Sequence, residues 1–240
     1  MATSHFVLMV ETDAAQSESL AAQLVRIGIE PIRVADLVEA VDVVQAREYA
    51  VRAILVPSEV PGRAIQKALK SMRRSGPILP CMAYGKAPDA AQRKLLRRAG
   101  VLLALWDGYD PGVLRFQMNR LTSGEHPSSV RGARRAPVHV PVAVLVGGRE
   151  KEGVLYSIAE GGCFIESPRA SMDGAQLRMC FALDGRHYEL DGVVVFSNVP
   201  GNLQRPNLPL GMGVRFESVP RSIRKELGRF VQERMSSLEV

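Results

Sequence analysis

The rhythm of apolar and polar positions changes once along the chain, near residue 122. Before that point, short apolar runs alternate with stretches of helical period. Phe6-Val7-Leu8-Met9-Val10 is apolar throughout, as a strand covered on both faces requires. Leu20, Leu24 and Ile27 then recur at helix spacing across residues 14–27, and Gly28 stops them. Residues 31–34 predict a second strand, and Asp36 stands where it would cap a helix carrying Leu37, Val41 and Val44 on one face. The same alternation predicts strands over 53–56, 78–83 and 101–105. It predicts helices over 65–72, over 90–99, and from Pro111 to about 121, the last opened by Asp110-Pro111. Five strand–helix units in this order predict a doubly wound, five-stranded parallel sheet.

After residue 122 the period becomes two. Val138, Val140, Val142 and Val144 alternate with His139, Pro141, Ala143 and Leu145. Gly147-Gly148 turns the chain, and further strands are predicted over 154–156, 163–165, 177–183, 188–196 and 211–216. Residues 198–209 read as a long loop, and residues 222–235 as an amphipathic helix with Ile223, Leu227, Phe230 and Val231 on one side. Strands without intervening helices predict a six-stranded antiparallel β-barrel with a terminal helix. Between the two patterns, residues 122–130 are small, polar and turn-forming. The expected organisation is a domain over 1–121, a linker over 122–130 and a second domain over 131–240.

Composition changes this picture little. The 240 residues are 46% apolar and 23% charged, as in a folded globular protein. The net charge of +6 is spread along the chain. Residues 1–121 hold 16 Lys/Arg against 12 Asp/Glu, and residues 122–240 hold 15 against 13, so there is no basic tail. Cys81, Cys163 and Cys180 lie far apart in apolar runs, which predicts buried thiols and neither a disulfide frame nor a metal site. Residues 1–5 show no signal-peptide pattern, and no apolar run reaches the roughly 18 residues a membrane helix needs. A soluble, cytoplasmic protein without membrane insertion is expected.

The candidate chemistry lies between residues 131 and 162. Arg131 and Arg135, four apart with Arg134 between them, precede the first barrel strand. About two strands later Ser157-Ile158-Ala159-Glu160-Gly161-Gly162 forms a small-residue turn. Such an arrangement can set a cationic clamp across from a tight turn, with something flat and anionic held between. Catalysis is not expected. The four histidines are scattered, and neither a Gly-x-Gly-x-x-Gly pattern nor a Walker lysine occurs.

The first half resembles the receiver domain of response regulators. The resemblance implies a pair of acidic residues after the first strand, where Glu11, Thr12 and Asp13 stand. It puts the phosphoacceptor aspartate at Pro57, four residues before Pro61. The switch Ser/Thr falls at about Met82 and the lysine at about Asp107, after Trp106. Proline has no oxygen to accept a phosphoryl group, and an aspartate in place of the lysine repels an acyl phosphate. The expectation is a pseudo-receiver that works through protein contacts, with Arg93, Lys94, Arg97, Arg98, Trp106 and Tyr109 on its docking surface.

The second half resembles the PilZ family over about residues 130–234. The resemblance rests on Arg131-x-x-x-Arg135, the turn before Gly162, the strand start Gly161-Gly162-Cys163-Phe164-Ile165, and Gly211-Met212-Gly213-Val214-Arg215-Phe216. It implies that the arginines hold the phosphates and guanines of cyclic di-GMP, since guanidinium pairs with phosphate and stacks on a base. The family's second motif, Asp/Asn-x-Ser-x-x-Gly, falls on Ser157, Ala159 and Gly162. The glycine survives, but the carboxylate and hydroxyl are gone. At roughly 1–3 kcal/mol for each lost ligand hydrogen bond, affinity falls by about 10²- to 10⁴-fold. Three readings of the arginine cluster stay open: weak cyclic di-GMP binding, a linker anchored by salt bridges, and another anion or partner. The resemblances imply a non-enzymatic bacterial signalling adaptor in motility, polarity or surface control. It would have no cofactor beyond cyclic di-GMP as a ligand, would bind other signalling or motility proteins, and would form homodimers. The alternative is a genuine cyclic di-GMP receptor using the Arg131/Arg135 clamp. A DNA-binding regulator would need a helix-turn-helix where the β-rich half lies, so DNA is not an expected partner.

Overall fold

The computed structural model describes residues 5–11, 13–74, 76, 78–122, 134–205 and 208–240. The chain forms two units: Met1–Pro127 together with Ser237–Val240, and Ser128–Ser236.

The first unit runs β1 (His5–Val10), α1 (Ala14–Arg26), β2 (Ile29–Val34), α2 (Leu37–Ala46), β3 (Val51–Pro57), α3 (Gly62–Arg73), β4 (Cys81–Gly85), α4 (Ala90–Arg98), β5 (Leu103–Trp106) and α5 (Pro111–Thr122). All five strands are parallel, in the order β2-β1-β3-β4-β5. This is the doubly wound sheet expected from the alternation. Val7, Leu8 and Met9 have no exposed surface, as a strand covered on both sides requires. Asp36 caps α2 by accepting from the amides of Val38 (2.7 Å) and Glu39 (2.9 Å), and the Glu39 carboxylate reaches back to the Ala35 amide at 2.6 Å.

Two strands lie later than expected. β4 begins at Cys81: Pro80 has no N–H to donate to a ladder, although its carbonyl accepts from the Ile54 amide at 3.0 Å, and Ile78 is left exposed. It continues through Tyr84 to Gly85, whose positive φ of 103° ends it. β5 likewise starts at Leu103, and Val101 is buried in the approach to it.

Residues 237–240 also belong to this unit. Glu239 forms an antiparallel bridge with Leu103 on the side of β5 away from β4. Ala104 donates its amide to the Leu238 carbonyl at 3.0 Å, and Val240 donates to that of Leu102 at 3.2 Å.

The second unit contains β6 (Ala136–Val146), β7 (Arg149–Ala159), β8 (Gly162–Glu166), β9 (Gln176–Leu183), β10 (Arg186–Val199), β11 (Asn202–Leu203), β12 (Gly211–Phe216) and α6 (Arg221–Ser236). β10-β12-β8-β7-β6-β9 form an antiparallel ring that closes through β9–β10 pairing. This is the six-stranded barrel expected, with the two-residue β11 folded back on the end of β10. The segment expected as a loop thus contains a short hairpin. Fully buried Asn198 organises it, accepting from the Arg205 amide at 2.8 Å and donating to the carbonyls of Arg205 and Pro209 at 2.6 and 3.2 Å.

The barrel core centres on Phe164, which is fully buried. It meets Tyr156 edge-on at 5.9 Å and stacks on Phe196 at 5.8 Å. Phe196 in turn covers Gly213, where an added Cβ would stand 2.0 Å from the ring. α6 packs on β6 and β7 with Leu227, Val231 and Met235 buried. Among the described residues, no helix is long and apolar enough to cross a membrane.

Burial separates the three thiols. Cys81 and Cys163 are enclosed, and burial pushes both up to about 12, against the lowering effect of the nearby positive charge of Arg135 at Cys163. Cys180 is exposed. A thiolate is the reactive form, so titration of the native chain with a thiol-specific disulfide reagent near pH 8 is expected to modify Cys180 alone. All three react after denaturation.

Candidate functional site

Each unit carries its own candidate site. In the first, the strand ends at the C-terminal edge of the sheet converge where β1 and β3 lie adjacent and the winding reverses. Glu11, just after β1, is paired with Arg33 from β2. Thr12 lies outside the described residues, and Asp13 caps α1 by accepting from the Gln16 amide at 2.9 Å. Pro57 closes β3 in a buried position beside Tyr84.

The structure shifts one expected position. Met82 is not at the end of β4 but its second residue, fully buried between Leu55 and Leu103. The residues level with Pro57 are Tyr84 and then Leu105. The Tyr84 hydroxyl donates to the Val10 carbonyl at 2.6 Å, and burial raises its pKa. Asp107 stands directly after β5, as expected. Its carboxylate accepts from the Gln16 side chain at 2.7 Å. Ser58 donates its hydroxyl to the Lys86 carbonyl at 2.7 Å and is buried. A polar cleft of about 310 Å³, lined by Gln16, Gln23, Tyr84, Asp107 and Tyr109 among others, opens here. Gln16, Gln23 and Tyr84 are site-lining residues that the sequence reading missed. A glutamine on a helix carries no periodic signal, and the strand predicted over 78–83 stops short of Tyr84.

The expected docking surface is divided. Arg93 lies over the Trp106 ring at 5.3 Å and donates to the Pro88 carbonyl at 3.2 Å. Arg97 donates to the main-chain carbonyl of Val240, at 2.7 Å from Nε. Lys94 and Arg98 are exposed, while Tyr109 turns toward Gln23 in the cleft.

In the second unit, strand register decides what faces the turn. Ala136 pairs with Ile158, and Pro137 with Ser157. The antiparallel register therefore carries Arg135 to the level of Ala159. Arg135 is close enough to Cys163 for its charge to act on the thiol. Arg134 and Arg135 are both exposed, and Arg131 lies outside the described residues. Ser157 and Ala159 are only 3% and 4% exposed. Glu160 is the polar side chain of the turn, and it lies on α6, where a Cβ on Gly228 would stand 2.5 Å from its Oε1. The structure thus brings Arg135 and the 157–162 turn together, with the carboxylate of the turn laid against α6.

Gly162 has a packing role of its own. A Cβ there would stand 2.4 Å from the Val214 carbonyl oxygen, so β8 and β12 can approach this closely only without a side chain. Its neighbour Gly161 would meet nothing within 4 Å.

Comparison with known proteins follows the same division. Residues 129–233 match the family model described as PilZ domain. No curated protein matches the chain significantly. Among solved structures, the inhibitor of motility from Bacillus subtilis is 18% identical with a TM-score of 0.38, over 45% of this chain and 52% of its own. The chain therefore spans about half the length of that protein. The receiver domain of a sensor histidine kinase from Pseudomonas aeruginosa is 22% identical with a TM-score of 0.42, over 50% of this chain and 99% of its own. A response regulator receiver protein from Burkholderia phymatum is 20% identical with a TM-score of 0.42, over 51% and 98%.

Proposed function

Because residues 129–233 form a PilZ domain and the first unit has the receiver-like strand order, we propose that this chain is a non-enzymatic bacterial signalling adaptor. It acts through protein contacts in the cytoplasm, in motility, polarity or surface control, and its cyclic di-GMP binding is weak or lost. One observation carries this reading. Arg135 faces a turn whose ligand positions, Ser157 and Ala159, are buried and offer neither carboxylate nor exposed hydroxyl. A guanine edge placed there would lose its water without gaining acceptors, which opposes binding.

The first unit supports the same conclusion. The phosphoacceptor position is Pro57, Glu11 is engaged by Arg33, and Asp107 occupies the position of the lysine. We read it as a pseudo-receiver whose output is set by what it touches.

A second reading, a genuine cyclic di-GMP receptor, is favoured by the exposure of Arg134 and Arg135 at the start of β6. Calorimetric titration of the full chain with cyclic di-GMP separates the two. The adaptor reading expects no saturable heat at low-micromolar ligand. Saturable, stoichiometric binding that disappears in Arg135→Ala would establish the receptor instead. The Ala159→Ser variant, which restores one hydroxyl with little change in volume, is expected to gain no more than about tenfold in affinity.

A further inference from the structure

The even charge totals of the two halves conceal a local imbalance. Residues 60–106 hold ten Lys/Arg and a single carboxylate, Asp89, which is engaged in capping α4 through the Gln92 amide at 2.8 Å. Arg63, Lys67 and Lys70 of α3, with Arg74 at its C-cap, recur at intervals of four, three and four and so share one helical face. All four are exposed, and none forms an ion pair among the described residues. Arginines elsewhere are matched, as Arg178 is with Glu189 and Asp191, and Arg186 with Glu226. Lys94 and Arg98, both exposed, share a face of α4 with Leu95, which is 47% exposed. Arg93 and Arg97 belong to another face, held at Trp106 and at the Val240 carbonyl. α3 comes against α4 at Leu95, where a Cβ on Gly62 would stand 2.7 Å from the Leu95 carbonyl oxygen. The cations of the two helices therefore flank an exposed leucine. Helix stability does not call for this arrangement. The helix dipole favours Lys70 and Arg74 in the last turn but opposes Arg63 in the first, and like charges three or four apart repel.

We propose that this α3–α4 face binds an acidic helix of a partner protein, with carboxylates at the same four-three-four spacing and an apolar side chain among them for Leu95. Two α-helices share one rise per residue, so carboxylates spaced in this way meet all four cations of α3 along about 16 Å. An apolar contact inside a charged rim is also how specific protein interfaces are built. Other polyanions fit less well. Neither helix carries an aromatic residue on which a base could stack. Ile65, Met72 and Leu96 are buried, so neither helix turns an apolar face outward to enter a lipid surface. The proposal rests on the protein-contact reading above and supplies the partner's chemistry. Its failure leaves that reading to another surface, whereas saturable cyclic di-GMP binding would remove that reading and leave this face untouched.

The test uses the full chain and a fluorescent helical peptide with glutamates at that spacing around one leucine, beside a peptide of the same composition in scrambled order. The patterned peptide is expected to bind at least about tenfold more tightly than the scrambled one. Lys67→Glu/Lys70→Glu should weaken it by at least about tenfold, while Arg224→Glu/Lys225→Glu, an equal change of charge on exposed residues of α6, weakens it by less than about twofold. If the reversed pair on α3 does not fold, Lys67→Gln/Lys70→Gln is expected to give the same ranking. Equal losses in the α3 and α6 variants would show attraction to net charge alone and overturn the proposal, as would no binding of the patterned peptide. Tighter binding of a DNA duplex or of phosphatidylserine vesicles, lost in the α3 variant, would overturn it by assigning the face to a nucleic acid or a membrane. A dimer of the unaltered chain that the α3 variant dissolves would overturn it by assigning the face to a second copy.

Discussion

Gly162→Ala is expected to destabilise the barrel by about 3 kcal/mol, while Gly161→Ala leaves stability within about 0.5 kcal/mol of the parent. The two glycines are adjacent in sequence and differ only in what stands beside them. A methyl at 162 would lie 2.4 Å from the carbonyl oxygen of Val214. That atom belongs to the backbone of β12 and is engaged in a ladder, so it cannot rotate away as a side-chain end would. Either β8 and β12 separate or the ladder breaks. At 161 an added methyl meets nothing within 4 Å. Reduced freedom of the unfolded chain favours alanine at both sites by less than about 1 kcal/mol, too little to reverse the first effect. Thermal denaturation followed by circular dichroism should show a fall of about 15 °C for Gly162→Ala in the barrel transition. Equal midpoints for the two variants would refute the packing role. That role also means that a glycine at this position is no sign of a retained ligand.

Phe164→Ala is the largest single loss expected, about 4 kcal/mol. Phe164 has no exposed surface and stands between Tyr156 and Phe196. Removing it deletes both ring contacts and leaves a void that Phe196 cannot fill, because that ring is already seated on Gly213. Urea denaturation of the full chain should show the barrel transition at much lower denaturant, with the parallel-sheet unit unfolding where it does in the parent. A cost under about 1 kcal/mol would mean that the ring cluster repacks, and would remove Phe164 from the centre of this core.

The sheet and the barrel were legible because long elements repeat their signal. Val138 to Leu145 alternate over enough positions to fix a strand, and Asp36 and Pro111 mark helix starts whose chemistry is local. Legibility failed where the deciding partner is distant. Ile78-Leu79 reads like a strand, yet Cys81 to Gly85 pairs with β3 and β5, and only that pairing shows where the edge falls. The segment 238–240 offers three residues of alternation, too few for a period, and its partners on α4, β5 and α5 lie far back in the chain. The candidate ligand site divides in the same way. Ser157, Ala159 and Gly162 could be placed by spacing. Their burial, and the turn of Glu160 onto α6, depend on register and on a helix that comes later.

Trp106 is the only tryptophan in the chain, and it sits at the end of β5 beneath the guanidinium of Arg93. Indole emission from this molecule therefore has a single source. The barrel holds Tyr156 and Tyr188 but no indole, and is silent in that band. Without any label, the colour and intensity of the emitted light follow the parallel-sheet unit alone, as a lamp mounted in one room of a two-room house.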